Sequence, residues 1–178
     1  IMEDIFGYPG FKHNHSNFIA ELVKQINCKT YLELGIYDGI TLSLVQPFVP
    51  RIISVDTKDV RKWRIGEFHL ETTDSFFEHF DEKVDVIFID ADHSFESVKK
   101  DFINSIRLLN EFGMIILHDT DPISEMYLDP GYCGDSYKMD KWLRENYTDL
   151  DVMTLPLTQA GLTIIKRKND KRINKFLS

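Results

Sequence analysis

Tyr31-Leu32-Glu33-Leu34, the turn Gly35-Ile36-Tyr37-Asp38-Gly39, the run Ile40 to Phe48 closed by Pro50, and then Ile52-Ile53-Ser54-Val55 stopping at Asp56 read as strand, turn, helix, strand. The outer pieces are short apolar runs bounded by polar or turn residues, and the middle piece ends where proline forbids further helix. Repeated along a chain, this unit builds a parallel sheet with crossover helices. The alternation continues in both directions. Phe68 to Glu71 reads as a third strand, followed by a short helix carrying Phe76, Phe77 and Phe80. Val84 to Ile89 is almost unbroken apolar sequence, as a strand buried on both faces requires.

That fourth strand ends at Asp90-Ala91-Asp92-His93, and Ser94 is placed to cap a helix whose inner stripe is Phe95, Val98, Phe102, Ile106 and Leu109. Met114 to Leu117 is the fifth strand, ending at His118-Asp119. Upstream, Ser16 is expected to cap a helix with Phe18, Ile19, Leu22, Val23 and Ile26 on one face. Downstream lie a helix from Tyr137 to Asn146 and two strands, Asp151 to Leu155 and Leu162 to Ile165, around a turn containing Ala160-Gly161. The expected fold class is α/β: a doubly wound, mostly parallel, Rossmann-like sheet of seven strands. Its last pair forms an antiparallel hairpin at one edge, and helices cover both faces.

At 178 residues the chain has the length of one domain. The expected division is an irregular N-terminal arm (1–15), a single domain (16–168) with a lid loop at 120–135, and a basic tail (169–178). The last basic stretch, Lys166, Arg167, Lys168, Lys171, Arg172 and Lys175, is expected to be solvated. The 120–135 stretch carries Pro122, Pro130, Gly131 and Gly134 with no clear period, and so long a loop in a compact domain is usually functional. The 29 acidic and 21 basic residues give a net charge of −8, which disfavours a nucleic-acid partner held by general electrostatics. No apolar run approaches the ~20 residues of a membrane span. Ile1-Met2-Glu3-Asp4 lacks the basic and apolar regions of a signal peptide, and Cys28 and Cys133 make neither a disulfide framework nor a zinc motif. A cytoplasmic protein is the expectation.

In a sheet of this kind ligands sit at the carboxyl ends of the strands. Asp38, Asp56, Asp90 and Asp119 all follow such ends, describing an acidic crevice. The Gly35-to-Gly39 turn lacks the G-x-G-x-x-G pattern that lets backbone cradle a pyrophosphate, because Ile36 and Tyr37 put bulk there. A cationic nucleoside without phosphate fits better, and S-adenosylmethionine is such a ligand.

Glu33-Leu-Gly-Ile-Tyr-Asp-Gly39 resembles the first motif of class I S-adenosylmethionine-dependent methyltransferases, and Ile-Ser-Val-Asp56 resembles their acidic second motif. Phe-Ile-Asp90-Ala-Asp92-His93-Ser94-Phe95-Glu96 and Gly113-Met-Ile-Ile-Leu-His118-Asp119 are similar to a subgroup of small stand-alone enzymes related to the macrocin and cephalosporin-pathway O-methyltransferases. The resemblance spans roughly residues 16 to 168. It implies a cofactor-binding set of Glu33, Gly35, Ile36, Tyr37, Asp38, Gly39, Asp56, Thr57, Asp74, Ser75, Asp90 and Ala91. Asp56 would take both ribose hydroxyls, since an ionised carboxylate offers two oxygens to a diol. Glu33 would help orient the methionine ammonium, and Asp74-Ser75 would flank the adenine. The plainer reading of that last pair is a helix start capped by Thr73 or Asp74.

Asp90, Asp92, His93, His118 and Asp119 are expected to converge at the tips of neighbouring strands. Methyl transfer needs alignment and a proton acceptor, and two routes to the latter stay open. In one, His118 or His93 is the base, with Asp90 beside it. In the other, Asp90, His118 and Asp119 hold a divalent metal, magnesium or manganese, that lowers the acceptor's pKa. The metal-dependent relatives carry an acid or amide pair where His118-Asp119 stand, and histidine there suits a softer ion. His13 and His15 are expected to be surface residues of the arm, and His69 and His79 give no signal.

The N-terminal arm and the 120–135 loop are the material for an acceptor site. Met126, Tyr127, Tyr132 and Tyr137 are placed to line a pocket for a small molecule or a glycan, or to form a homodimer contact. The reading is O-methylation of such an acceptor. Its alternatives are a catalytically silent S-adenosylmethionine-binding module and a nicotinamide-dependent reductase.

Overall fold

Short apolar strands punctuated by turns fold here into one seven-stranded sheet, seen in a computed structural model that describes residues 14–59, 65–157 and 160–168. The helices are α1 (Asn14–Gln25), α2 (Ile40–Val45), α3 (Thr73–His79), α4 (Phe95–Ile106) and α5 (Lys138–Asn146). The strands are β1 (Thr30–Leu34), β2 (Arg51–Asp56), β3 (Glu67–Leu70), β4 (Val84–Ile89), β5 (Leu109–His118), β6 (Leu150–Leu155) and β7 (Leu162–Arg167). The strand order is β3-β2-β1-β4-β5-β7-β6. The first five strands run parallel, while β7 pairs antiparallel with both β5 and β6. The expected architecture is met, with β7 inserted inside β6.

Because successive strand residues point to opposite faces, β1 feeds two cores. Leu32 and Leu34 join Ile53, Val55, Phe76, Phe102 and Ile115 under α3, α4 and α5. Tyr31 joins Ile19, Val23, Leu42, Val45, Phe88 and Ile116 under α1 and α2. Phe102 is fully buried, so truncating it to alanine costs about 3–5 kcal/mol. Glu33 shares the Tyr31 face and is thereby carried into the interior. Chain order reverses between β1 and β4, and that switch point, at the carboxyl ends of the strands, is where the crevice opens.

Several boundaries differ from expectation. Helix α1 is already formed at Asn14, so Ser16 is not its cap; Ser16 lies buried inside the helix, with its hydroxyl 2.7 Å from that of Thr41 on α2. Ile26 falls past the end of α1 and is exposed. Helix α2 stops at Val45 and a single 3-10 turn, Gln46–Phe48, completes the run, since Pro47 has no N–H to continue the α pattern. Leu109 belongs to β5 rather than to the stripe of α4. Ser94 does cap α4, accepting from the Ser97 N–H. The 120–135 loop contains one 3-10 turn, Glu125–Leu128. Lys166 and Arg167, read as the start of a solvated tail, lie in β7; Lys166 pairs with Asp151, and Arg167 donates to the backbone carbonyls of Ile106 and Leu109. The arm through His13 and the tail at 169–178 lie outside the described residues.

Candidate active site

The β1–α2 turn is wedged between the ends of β2 and β4. Gly35 N–H donates to Val55 O at 2.9 Å, and Asp90 N–H donates to Leu34 O at 2.8 Å. Gly35 has φ of 85°, and a Cβ there would stand 2.2 Å from the Asp90 carbonyl oxygen, so only glycine permits this approach. Tyr37 follows at φ 50°, a left-handed conformation uncommon for an aromatic residue, and its side chain is 84% exposed. A left-handed backbone at so bulky a residue stores strain of about 1–3 kcal/mol.

Asp56 organises the turn from across the sheet. Its Oδ2 accepts from the N–H groups of Ile36 (2.8 Å) and Tyr37 (3.4 Å), and its Oδ1 accepts from the Lys58 N–H (2.7 Å). Asp38 Oδ1 accepts from Ile40 N–H at 3.1 Å. Glu33 is 1% exposed, and the Tyr31 hydroxyl donates to it at 2.6 Å. Burial pushes the Glu33 carboxyl well above the ordinary range, Tyr31 opposes this, and the negative charges of Asp90, Asp38 and Asp56 add to it. These four acids therefore share one field around a single turn.

Thr57 and Ala91 are exposed on the rim, Ala91 with its Cα near Gly35. Asp74 and Ser75 open α3, but the cap is Thr72, one residue earlier than expected, whose side chain accepts from Ser75 N–H. Asp74 meets Lys100 at 2.6 Å in solvent, and the Ser75 hydroxyl donates to Glu71. Asp92 stays local, accepting from the Ser94 N–H.

At the tips of β4 and β5 four of the five residues expected to converge do so; Asp92 does not join them. His118 Nδ1 lies 3.1 Å from Asp90 Oδ1 and 3.2 Å from Asp119 Oδ1. His93 Nε2 lies 3.2 Å from Asp119 Oδ2 and 4.0 Å from Asp90 Oδ1. Burial alone would lower the His118 pKa, but the Asp90 charge and the bonds from both carboxylates push it up to about 10, so the ring is an imidazolium. Its Nε2 is buried without a hydrogen-bond partner among the described residues. Asp119 sits at φ 62°; although burial would raise its pKa, His118 and His93 hold it below the usual carboxylate range.

The ligand atoms that come within 4.8 Å of one another here are those of Asp90, His93 and Asp119. His118 stands on the same two acids as a proton-bearing cation. Two carboxylates and an imidazole suit a divalent ion of manganese-like softness better than magnesium. The residues fit such an ion on the condition that it displaces or tolerates the His118 proton.

Sequence reading missed several neighbours of this cluster. His15 is not a surface residue: its half-buried ring lies against that of His118, with centroids 4.2 Å apart. Cys133, buried, donates from Sγ to Asp119 Oδ1 at 3.4 Å, and Ser136 Oγ donates to Asp119 O at 2.7 Å. Gly134, at φ 53°, lets the loop close on His93, where a Cβ would stand 2.4 Å from the carbonyl oxygen; Asp135 N–H donates to that same oxygen. The 120–135 segment is thus fastened to the rim of the site. Beside Asp119 begins a cleft of about 690 Å³, lined by Thr120, Asp121, Glu125, Tyr137, Asp140 and Arg144 among others. Tyr137 reaches it as expected, whereas Met126 and Tyr132 are exposed outside it.

The model of a family described as a methyltransferase domain matches residues 32–120, half of the chain. No curated protein matches the sequence. Among solved structures, the fold is shared with the O-methyltransferase TomG of Streptomyces achromogenes, involved in tomaymycin synthesis and solved with S-adenosylmethionine. That pair is 14% identical over 87% of this chain and 80% of that one, with a TM-score of 0.69. An O-methyltransferase of Bacillus cereus, in complex with S-adenosylhomocysteine, is 14% identical over 89% and 84%, with a TM-score of 0.65. The S-adenosylhomocysteine-bound methyltransferase PaMTH1 of Podospora anserina is 17% identical over 87% and 78%, with a TM-score of 0.64. At these identities the likeness is one of fold. No helix among the described residues is long and apolar enough to cross a membrane.

Proposed function

The chain belongs to the methyltransferase-domain family, and from that premise we propose that it moves the methyl group of S-adenosylmethionine to an oxygen of a small molecule or sugar. One observation supports the cofactor: Glu33, Asp38, Asp56 and Asp90 surround one turn, and the negative charges of the other three add to the burial that lifts the Glu33 pKa. A ligand bearing an ammonium and a sulfonium relieves that field, whereas a pyrophosphate would worsen it. Asp56 Oδ1 keeps a lone-pair direction beyond its Lys58 donor, and Oδ2 gains one for a ribose hydroxyl if the long 3.4 Å bond from Tyr37 N–H is given up.

For the chemistry, the acceptor hydroxyl attacks the methyl carbon in line, the C–S bond breaks, and the sulfur leaves as a neutral thioether. The hydroxyl proton must go to the protein. His118 already carries its proton between Asp90 and Asp119, so its role is to hold those acids in place. His93, 30% exposed and backed by Asp119 Oδ2, is the group able to receive the proton. A divalent ion on Asp90, His93 and Asp119 would instead lower the acceptor's pKa, and His93 cannot serve both purposes. The cleft that begins at Thr120, next to Asp119 in the chain, has the size of a small-molecule site, and its Asp121, Glu125, Asp140 and Arg144 offer hydrogen-bonding groups to a hydroxylated acceptor.

Calorimetric titration with S-adenosylmethionine and S-adenosylhomocysteine tests the cofactor, and absence of binding by both at millimolar concentration overturns the reading. Methyl transfer that survives chelation and dialysis, and that added manganese or magnesium leaves unchanged, assigns the proton to His93 alone. Loss on chelation with recovery on manganese assigns the acid cluster to the metal.

A further inference from the structure

On the outer edge of the sheet, away from the β4–β5 tips, two histidines and two glutamates form a second ordered cluster. His69 lies on β3, Glu71 just past its end, and His79 in the last turn of α3. The two elements fold back on each other so that one carboxylate oxygen, Glu71 Oε1, faces both rings: His79 Nε2 at 3.0 Å and His69 Nδ1 at 3.3 Å. One donor atom from each residue lies within 4.8 Å of the others. Tetrahedral zinc, with bonds of about 2.0–2.1 Å to nitrogen and oxygen, has ligand-to-ligand edges of roughly 3.3 Å.

The groups behind these donors are arranged as a metal site requires. A ligating imidazole normally donates its other N–H to a carboxylate, fixing the tautomer. His69 Nε2 lies 2.9 Å from Glu67 Oε1, leaving Nδ1 as the ring's lone pair toward Glu71. Glu67 is in turn held by Arg51 at 3.2 Å. Glu71 Oε2, the oxygen bonded by the Ser75 hydroxyl at 2.5 Å, is restrained so that Oε1 remains directed at the histidines. The His69 and His79 rings pack edge-on against buried Phe76, at 5.0 and 5.9 Å between centroids, so neither imidazole swings freely.

We propose that His69, Glu71 and His79 form a zinc site that clips edge strand β3 to helix α3. Glu67 and Ser75 orient two of its ligands, and water completes the coordination. Two imidazoles and one carboxylate favour zinc over magnesium, which prefers an all-oxygen shell. The clip fixes the Thr72–Ser75 turn from outside. It depends on neither the cofactor nor the acid cluster at Asp90.

The test is titration of the full chain, stripped by chelation, with Zn²⁺ against a chromophoric zinc indicator. The expected result is a tight equivalent that disappears in His79→Ala, persists in His93→Ala whether or not the Asp90 cluster takes a second ion, and is not displaced by excess Mg²⁺. Glu67→Gln should weaken that equivalent by roughly 10–100-fold without removing it. His79 is half exposed, so its truncation leaves the fold intact; His79→Gln serves if it does not. No tight equivalent in the parent chain, or one that survives His79→Ala and His79→Gln, or one that vanishes with His93→Ala instead, overturns the proposal.

Discussion

The ring of His15 lies against the ring of His118 with 4.2 Å between centroids, which joins the first turn of α1 to the carboxyl end of β5. Phe88 approaches both rings at just over 6 Å, at 6.3 Å from His15 and 6.2 Å from His118. An aromatic neighbour on this side limits how the imidazolium can turn while its Nδ1 serves Asp90 and Asp119. Replacing His15 by alanine should lower stability by about 1 kcal/mol in a urea titration and reduce methyl transfer. His15→Phe should recover most of the stability.

Removing the cation itself is costlier. His118→Leu removes the cation that Asp90 and the 6%-exposed Asp119 share, leaving them only His93, and should cost about 3 kcal/mol at neutral pH. His118 and His93 hold the Asp119 carboxyl below the usual carboxylate range, so the stabilisation from this pairing is lost only as pH falls through that lowered value. Urea midpoints of parent and variant should therefore converge in strong acid, below the usual carboxylate range.

A side chain at Gly35 must enter the backbone of Asp90 and adopt a left-handed conformation as well. Gly35→Ala should lose about 3 kcal/mol or more in thermal unfolding, and any folded fraction should fail to bind S-adenosylmethionine by calorimetry.

Asp56→Asn keeps one oxygen for the turn but removes the charge. Loss of a charge-assisted bond to the ribose is worth about 1.5–3 kcal/mol, so the cofactor's dissociation constant should rise roughly 10–100-fold, and the unfolding midpoint should fall as well because the amide nitrogen replaces an oxygen that accepts from backbone.

Asp101, 3% exposed on α4, supplies a pH dependence of its own. Burial pushes its carboxyl up from 3.8 to about 6, partly opposed by a bond with Thr73 and assisted by the charges of Asp74 and Asp92. The folded chain thus holds a proton that the unfolded chain has already released between those two values. Stability should therefore fall as pH rises from about 4 to about 6 and level off above, by on the order of 2–3 kcal/mol from this group. Asp101→Asn should flatten that slope in chemical denaturation.

The fold is legible because each strand announces itself by an apolar run and each crevice residue by an acid at the run's end. Val84 to Ile89, followed by Asp90, illustrates both signals. Leu109 is misplaced from sequence because the helical period runs on through Arg107 and Leu108, where no glycine or proline marks the turn. The acid–histidine cluster follows from strand order alone, since β4 and β5 are neighbours. His15 does not, because its contact depends on where α1 crosses the sheet, and nothing in local periodicity encodes that. His69 and His79 stay silent for the same reason: one sits on a strand, the other on a helix, and only the return of α3 over β3 brings them to Glu71.

The insertion of β7 between β5 and β6 has a bearing on how the polypeptide leaves the ribosome. Until residues 162–167 emerge, Ile115, Ile116 and Leu117 belong to a strand with one open margin, and β6 has nothing to join. Nascent chains stalled before that point display a hydrophobic, hydrogen-bond-hungry border, the kind that invites self-association. Covering that margin of β5 thus falls to the last synthesised of the seven described strands.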